Sequence, residues 1–185
     1  MTRYPDLWAS GELARRVRQA LASLRECRVC PHECGVDRTA GVRGVCRAGA
    51  HARVSSAGPH FGEEPPLVGS GGSGTVFFAW CNLRCVYCQN ADISHLGRGE
   101  DVSATALAAA FLDIQRRGCE NLNLVSPTHY TPQILEALDL AAADGLDLPI
   151  VWNTGGYESS GTLALLDGVV DIFMPDIKYA DPEIA

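Results

Sequence analysis

The stretch Cys81-Asn-Leu-Arg-Cys85-Val-Tyr-Cys88 directly follows the apolar run Thr75-Val-Phe-Phe-Ala-Trp80. The run predicts a buried strand, which places the three thiols in the loop at its carboxyl end. Spacings of three and two residues let one short loop offer thiolates to three corners of a cubane iron–sulfur cluster and leave the fourth iron open. The same cysteines could instead hold zinc with a ligand from elsewhere. The position at the end of a strand, where α/β proteins carry their chemistry, favours the cluster.

Strand and helix patterns alternate after this loop. Further buried strands are predicted at 121–125, 148–152 and 169–174, and helices at 103–117, 131–144 and 160–166. Such alternation predicts parallel βα units. Four units do not close an eight-stranded barrel. We therefore expect an α/β fold with a partial parallel (β/α) barrel over residues 75–185, truncated at its C-terminus.

The first 57 residues predict a different kind of structure, an N-terminal helix followed by a Cys-rich, metal-knuckle-like segment. Apolar residues recur on one helical face at Leu13, Val17, Leu21 and Leu24. Residues 58–74 are rich in glycine and proline and predict an irregular connector to the βα core.

A second set of thiols lies in this N-terminal segment, at Cys27, Cys30, Cys34 and Cys46. The pattern C-x2-C-x3-C-x11-C offers four ligands, which implies a closed, structural site for zinc or for an auxiliary cluster. His32 is a spare candidate ligand.

Composition and charge argue against some classes of binding partner. The 185 residues carry a net charge of −7, divided into +5 over residues 1–53 and −12 over the remainder. Duplex DNA and anionic membranes require clustered positive charge, so we expect neither nucleic acid nor membrane as a partner. The first 30 residues hold three acidic groups and no long apolar run, which argues against a secretory signal peptide. We therefore expect a cytoplasmic protein, whose cysteines bind metal rather than form disulfides.

The cysteine loop resembles that of the radical S-adenosylmethionine (SAM) enzymes. The flanking sequences are similar to the pyruvate formate-lyase activating enzyme-like branch of that family, namely Gly72-Ser-Gly-Thr-Val-Phe-Phe78, Cys88-Gln-Asn90, Asn153-Thr-Gly-Gly156 and Met174-Pro-Asp-Ile-Lys178. The N-terminal Cys30-Pro-His-Glu-Cys34-Gly-Val-Asp-Arg38 also resembles members of that branch.

The resemblance implies a [4Fe-4S] cluster on Cys81, Cys85 and Cys88, whose open iron chelates SAM. A reductant such as flavodoxin or ferredoxin would supply the electron that breaks SAM into methionine and a 5′-deoxyadenosyl radical. That radical would take a hydrogen atom from a substrate, which in the activating enzymes is a backbone glycine of a partner protein. The implied reaction is therefore that of an oxidoreductase acting through SAM.

Six further residues stand at positions that lie near SAM in that family: Tyr87, Ser126, Thr128, Asn153, Asp176 and Lys178. The resemblance implies that Tyr87 lies beside the adenine. Ser126 and Thr128 stand where the family has a Gly-Gly-Glu segment, and would accept hydrogen bonds from the SAM ammonium group. Lys178 would contact the SAM carboxylate as a point charge.

Two alternatives belong to other classes. The chain could be a zinc-bound interaction module that holds an acidic partner with its basic first 53 residues, or an inactive fragment of the enzyme. Zinc without iron or sulfide would favour the module.

Overall fold

A mixed sheet forms the centre of the computed structural model, which describes residues 2–176, 178 and 183. Its strands in this part of the chain are β1 (Ala52–His60), β2 (Ser73–Phe78), β3 (Glu100–Val102), β4 (Leu122–Val125), β5 (Ile150–Thr154) and β6 (Ile172–Pro175). Their order across the sheet is β3-β1-β2-β4-β5-β6. The strands β2, β4, β5 and β6 are parallel, whereas β1 is antiparallel to both β2 and β3.

Helices connect and cover these strands. The described residues form α1 (Tyr4–Ala9), α2 (Glu12–Ala22), α3 (Pro65–Val68), α4 (Ala91–Ser94), α5 (Ala104–Arg116), α6 (Thr131–Ala143) and α7 (Ser160–Leu166), with short 3-10 helices at Ser23–Glu26 and Thr128–Tyr130. Helix α5 begins as predicted, because the Ser103 hydroxyl accepts a hydrogen bond from the Ala106 amide. The single N-terminal helix predicted from periodicity is two helices, since the chain turns at Gly11 with φ 76°.

The core lies between the sheet and the helices α5 and α6. Phe78, Leu124 and Trp152 project from the strands and are at most 2% exposed, and Phe111 and Ile134 pack against them from the helices. Burying a side chain of this size stabilises the fold by about 1.5–3 kcal/mol. The apolar residues that these parallel strands bury beneath the helices made the strands predictable from the sequence.

The four parallel strands agree with the four predicted βα units, but the sheet is open and mixed over the described residues. Sequence reasoning missed β1 and β3. Strand β1 has one β-branched aliphatic residue, Val54, and contains Gly58 and Pro59, which are poor strand formers. It forms because it pairs with β2 along nearly its whole length. The segment expected to be an irregular connector therefore contains the end of β1, helix α3 and the start of β2.

None of the helices in the described ranges has the length and apolar character that crossing a bilayer requires. Ile177, within the predicted Met174–Lys178 motif, lies outside the described residues.

Candidate functional site

A cleft opens at the carboxyl edge of the parallel strands. The loops that follow β2, β4, β5 and β6 all contribute to its wall, as expected for parallel strands in one sheet. Its volume is about 610 Å³, within the range of small-molecule sites. Eight of the nine residues predicted for the cluster and for SAM line it: Cys81, Cys85, Cys88, Tyr87, Ser126, Asn153, Asp176 and Lys178.

The three thiols sit in a loop of unusual backbone conformation. Trp80 and Arg84 adopt the left-handed region, with φ 65° and 52°. Non-glycine residues in that region store strain, which is typical of functional sites. The Leu83 amide lies 3.4 Å from Sγ of Cys81. The Ser94 hydroxyl lies 3.2 Å from Sγ of Cys88. Both groups can donate a hydrogen bond to sulfur.

The donor set of this loop fits an iron–sulfur cluster. Within residues 2–176, 178 and 183, no three His, Cys, Asp or Glu side chains are grouped so as to hold one metal ion. A cubane does not require such a group, because each of its thiolates binds a different iron. Cys81, Cys85 and Cys88 are partly exposed, unpaired thiols on the wall of one cleft, and they would leave one iron to a ligand in that cleft.

The predicted SAM-binding residues divide into two groups. Tyr87 is 55% exposed on the cleft, and Ser126 follows β4 in the left-handed region at φ 54°. Thr128 does not line the cleft: it is 2% exposed and lies behind the wall, where its hydroxyl contacts that of Thr154 at 3.1 Å. Its placement gives it a supporting contact rather than direct access to a ligand in the cleft.

Asp176 and Lys178 form an ion pair at the rim beyond β6. Burial opposes the charge of Lys178, but the hydrogen bond and negative charge of Asp176 raise the pKa of its ammonium group, with a smaller effect of the Cys85 thiolate. The ammonium group therefore remains positive near the cysteine loop, where it can attract a carboxylate.

Glu158 is a site residue that sequence reasoning missed. One of its carboxylate oxygens accepts hydrogen bonds from the hydroxyls of Thr128 (2.6 Å) and Thr154 and from the indole N–H of Trp152 (3.1 Å). Glu158 therefore connects Thr128, which follows β4, to Thr154 at the end of β5. The available signal was its position, since an acidic residue shortly after a parallel strand faces the functional edge of the sheet.

Glu63 was also missed, although it lines the same cleft. Burial, together with the charge of Glu64, raises the pKa of its carboxyl group. Glu63 precedes β2, in the segment expected to be only a connector, so the sequence offered no strand end by which to place it.

The second cysteine set lies around a separate cavity. Cys27, Cys30, Cys34 and Cys46 line it together with Arg38 and His129; we call it the N-terminal thiol cavity. Burial raises the pKa of the Cys30 thiol and raises that of Cys46 to about 11. Burial also lowers the pKa of His129 to about 3, so its imidazole is neutral. His32, the predicted spare ligand, is not on the cavity wall.

His32 instead joins the N-terminal segment to the cysteine loop. Its Nε2 lies 2.8 Å from the carbonyl oxygen of Asn82, between Cys81 and Leu83. The Asn82 amide donates to the Tyr157 carbonyl at 2.9 Å, and the His32 ring stands edge-on to Tyr157 at 5.2 Å between centroids. The loop is therefore held from behind by both the N-terminal segment and the β5–α7 loop.

Residues 75–185 match the family model described as the radical SAM superfamily. The chain is also 33% identical over 165 residues to an uncharacterized protein of Methanocaldococcus jannaschii, an alignment that covers 86% of this chain. The chain spans about half, 47%, of the length of that relative. No solved structure matches the chain.

Proposed function

Because the chain belongs to the radical SAM superfamily, we propose that it is an activating-enzyme-like member that reductively cleaves SAM at the cleft beyond β2. The observation that carries the proposal is the convergence of Cys81, Cys85 and Cys88 with the predicted SAM-binding residues on one cleft wall. The family implies a [4Fe-4S] cluster and SAM, which favours an enzyme over a zinc-bound interaction module. When bound, the reduced cluster supplies the electron that generates methionine and a 5′-deoxyadenosyl radical.

The chain's own residues would bind and orient the ligand. The Lys178 ammonium, kept positive by Asp176, pairs with the SAM carboxylate. The carbonyl and hydroxyl groups at Ser126 accept from its ammonium group, and the Tyr87 ring covers the adenine. Asn153 contributes an amide at the end of β5. Glu158 acts indirectly, by fixing Thr154 on the cleft wall and Thr128 behind it.

The substrate is a proposal at the level of chemical class. The flanking motifs support a backbone glycine of a partner protein as the hydrogen donor, with a flavodoxin or ferredoxin as reductant. The cysteine loop is partly open to solvent, since Val86 and Tyr87 are 95% and 55% exposed. An extended peptide could therefore approach the cysteine loop from solvent.

Production of 5′-deoxyadenosine tests this function. The chain is reconstituted anaerobically with iron and sulfide, reduced, supplied with SAM and assayed by mass spectrometry. We expect product from the unmodified chain and from Cys119→Ala, which changes a buried cysteine outside the cleft. We expect none above background from Cys85→Ala. Equal product from Cys85→Ala, or none from an unmodified chain carrying a full cluster, would contradict the proposal.

A further inference from the structure

The N-terminal thiol cavity lies outside the cleft assigned above, and the proposed reaction does not use its four cysteines. Two of the sulfurs accept a hydrogen bond from a backbone amide two residues further along the chain. His32 donates in this way to Cys30, and Ala48 donates to Cys46. Hydrogen bonds to the sulfurs are among the features by which proteins adapt iron–sulfur sites.

Cys34 has the same environment from a different part of the chain. The Val45 amide lies 3.5 Å from its Sγ. The preceding residue, Gly44, leaves the space that the sulfur needs, because a Cβ there would lie 2.7 Å from Sγ. The approach of this backbone to Cys34 therefore requires glycine at position 44.

Arg38 supplies a buried positive charge beside the cavity. The residue is 1% exposed, and its guanidinium donates to the carbonyls of Gly49 (2.9 and 2.7 Å) and His129 (2.8 Å). Its Nη1 also lies 3.9 Å from Sγ of Cys27. Among the salt bridges of the described residues, none joins Arg38 to a carboxylate. A buried cation requires compensating negative charge, and thiolates around a metal provide it.

His129 presents an unused acceptor on the wall of the same cavity. The side chain is 1% exposed, and its Nε2 lies 3.1 Å from the carbonyl oxygen of Ala79. A carbonyl only accepts, so Nε2 carries the hydrogen and Nδ1 has a free lone pair. Nδ1 is buried without a partner among the described residues. Histidines that bind metals commonly donate their other ring N–H to a carbonyl in this way.

We propose that the N-terminal thiol cavity binds a metal centre through its four cysteines, with Arg38 as the counter-charge. Zinc and an auxiliary iron–sulfur cluster share the same thiolate chemistry. Among the described residues no three of these side chains are grouped so as to hold one metal ion, so a single zinc ion requires the thiol side chains to move. A cluster binds each thiolate at its own iron. None of its cysteines lies on the cleft, so the site is distinct from the one proposed for SAM cleavage.

Metal content tests the proposal in a variant that lacks the cleft thiols, Cys81→Ala/Cys85→Ala/Cys88→Ala. Prepared anaerobically, it is expected to retain about one zinc, or about four iron with equal sulfide, per chain. Adding Cys30→Ser and Cys46→Ser is expected to lower that content at least about tenfold, whereas adding Cys119→Ser leaves it unchanged. A folded triple variant that contains neither metal overturns the proposal.

Alkylation of the unmodified chain decides the question without variants. Native protein is labelled with iodoacetamide before and after treatment with a chelator, and each cysteine is quantified by peptide mass spectrometry. The four cavity cysteines are expected to gain labelling at least about tenfold after the metal is removed. Cys119, buried elsewhere, is the internal control and keeps its labelling. Equal labelling of the cavity cysteines before and after chelation overturns the proposal, even if the triple variant does not fold.

Discussion

One carboxylate oxygen of Glu158 accepts hydrogen bonds from three donors: the hydroxyls of Thr128 and Thr154, which also contact each other, and the indole N–H of Trp152. Thr128, Thr154 and Trp152 are at most 4% exposed, so these donors have little access to water in the folded chain. A buried donor left without an acceptor costs about 1–3 kcal/mol. The carboxylate is therefore important for stability as well as for the shape of the cleft wall.

We predict that Glu158→Ala lowers the free energy of unfolding by about 2 kcal/mol, because it leaves these donors unsatisfied. Glu158→Gln keeps one acceptor oxygen and is expected to lose about half as much. Urea denaturation followed by circular dichroism measures both. Glu100→Ala, at an exposed position on β3, is the matched control and is expected to change stability by less than about 0.5 kcal/mol. Equal effects of the alanine variants would show that Glu158 has no structural role.

Glu158 and the loop cysteines show which single residues of the site can be predicted from sequence and which cannot. The cysteines of the loop could be predicted because their spacing is local. Glu158 could not, because its partners Thr128 and Trp152 lie on other strands or loops and meet it only after folding. For the same reason, the sequence could not show that Thr128 lies behind the cleft wall instead of on it.

At the scale of elements, the groups that pack against β2 limit the size of the residue that the strand can hold at position 74. A Cβ at Gly74 would lie 2.1 Å from the Ile114 side chain and 2.5 Å from the Asn121 carbonyl oxygen. Neither the backbone of the neighbouring strand nor the helix above can move away without loss of contacts. Glycine at this position therefore permits β2 to pair closely with β4.

We predict that Gly74→Ala lowers the free energy of unfolding by about 2–3 kcal/mol, since overpacking forces the backbone or Ile114 to shift. The control is Gly49→Ala, where a Cβ would have no neighbour within 4 Å. That substitution is expected to change stability by less than about 0.5 kcal/mol. Thermal unfolding of the two variants in parallel measures the difference. Similar midpoints would contradict the close packing of β2.

Among the helices and strands, those with a clear local sequence pattern could be predicted and those without one could not. Strands β4 and β5 are apolar runs buried on both faces, so their patterns were readable, and α7 was predicted with its observed bounds. Strand β1 is largely intermediate or exposed and has no such run. Its pairing with β2 comes from tertiary structure, which local propensity does not encode.

For the whole molecule, the decisive relation is that between the N-terminal segment and the core. The two parts share one sheet. Strand β1 begins at Ala52, within the N-terminal segment, and belongs to the same sheet as the parallel strands. Arg38 and Gln133 also donate to carbonyls across the boundary, at His129 and Ala50. The N-terminal segment is thus positioned to influence the geometry of the cysteine loop.

His32 makes a direct contact between the N-terminal segment and the cysteine loop, since its ring reaches Asn82 and also packs against Tyr157. We predict that His32→Ala lowers the initial rate of 5′-deoxyadenosine formation about three- to tenfold. Loss of one hydrogen bond of about 0.5–1.5 kcal/mol would allow the loop to leave its productive position, and about 1.4 kcal/mol corresponds to tenfold in rate.

His51→Ala is the matched control, because His51 is exposed and lies outside the cleft and the N-terminal thiol cavity. Its rate is expected to equal that of the unmodified chain. Iron and sulfide are measured in each preparation, so that a slower rate at equal cluster content reports on loop position rather than on cluster loss. Equal rates for the two histidine variants would show that the N-terminal segment does not act on the loop through His32. A rate lost together with the iron would instead assign His32 to cluster retention.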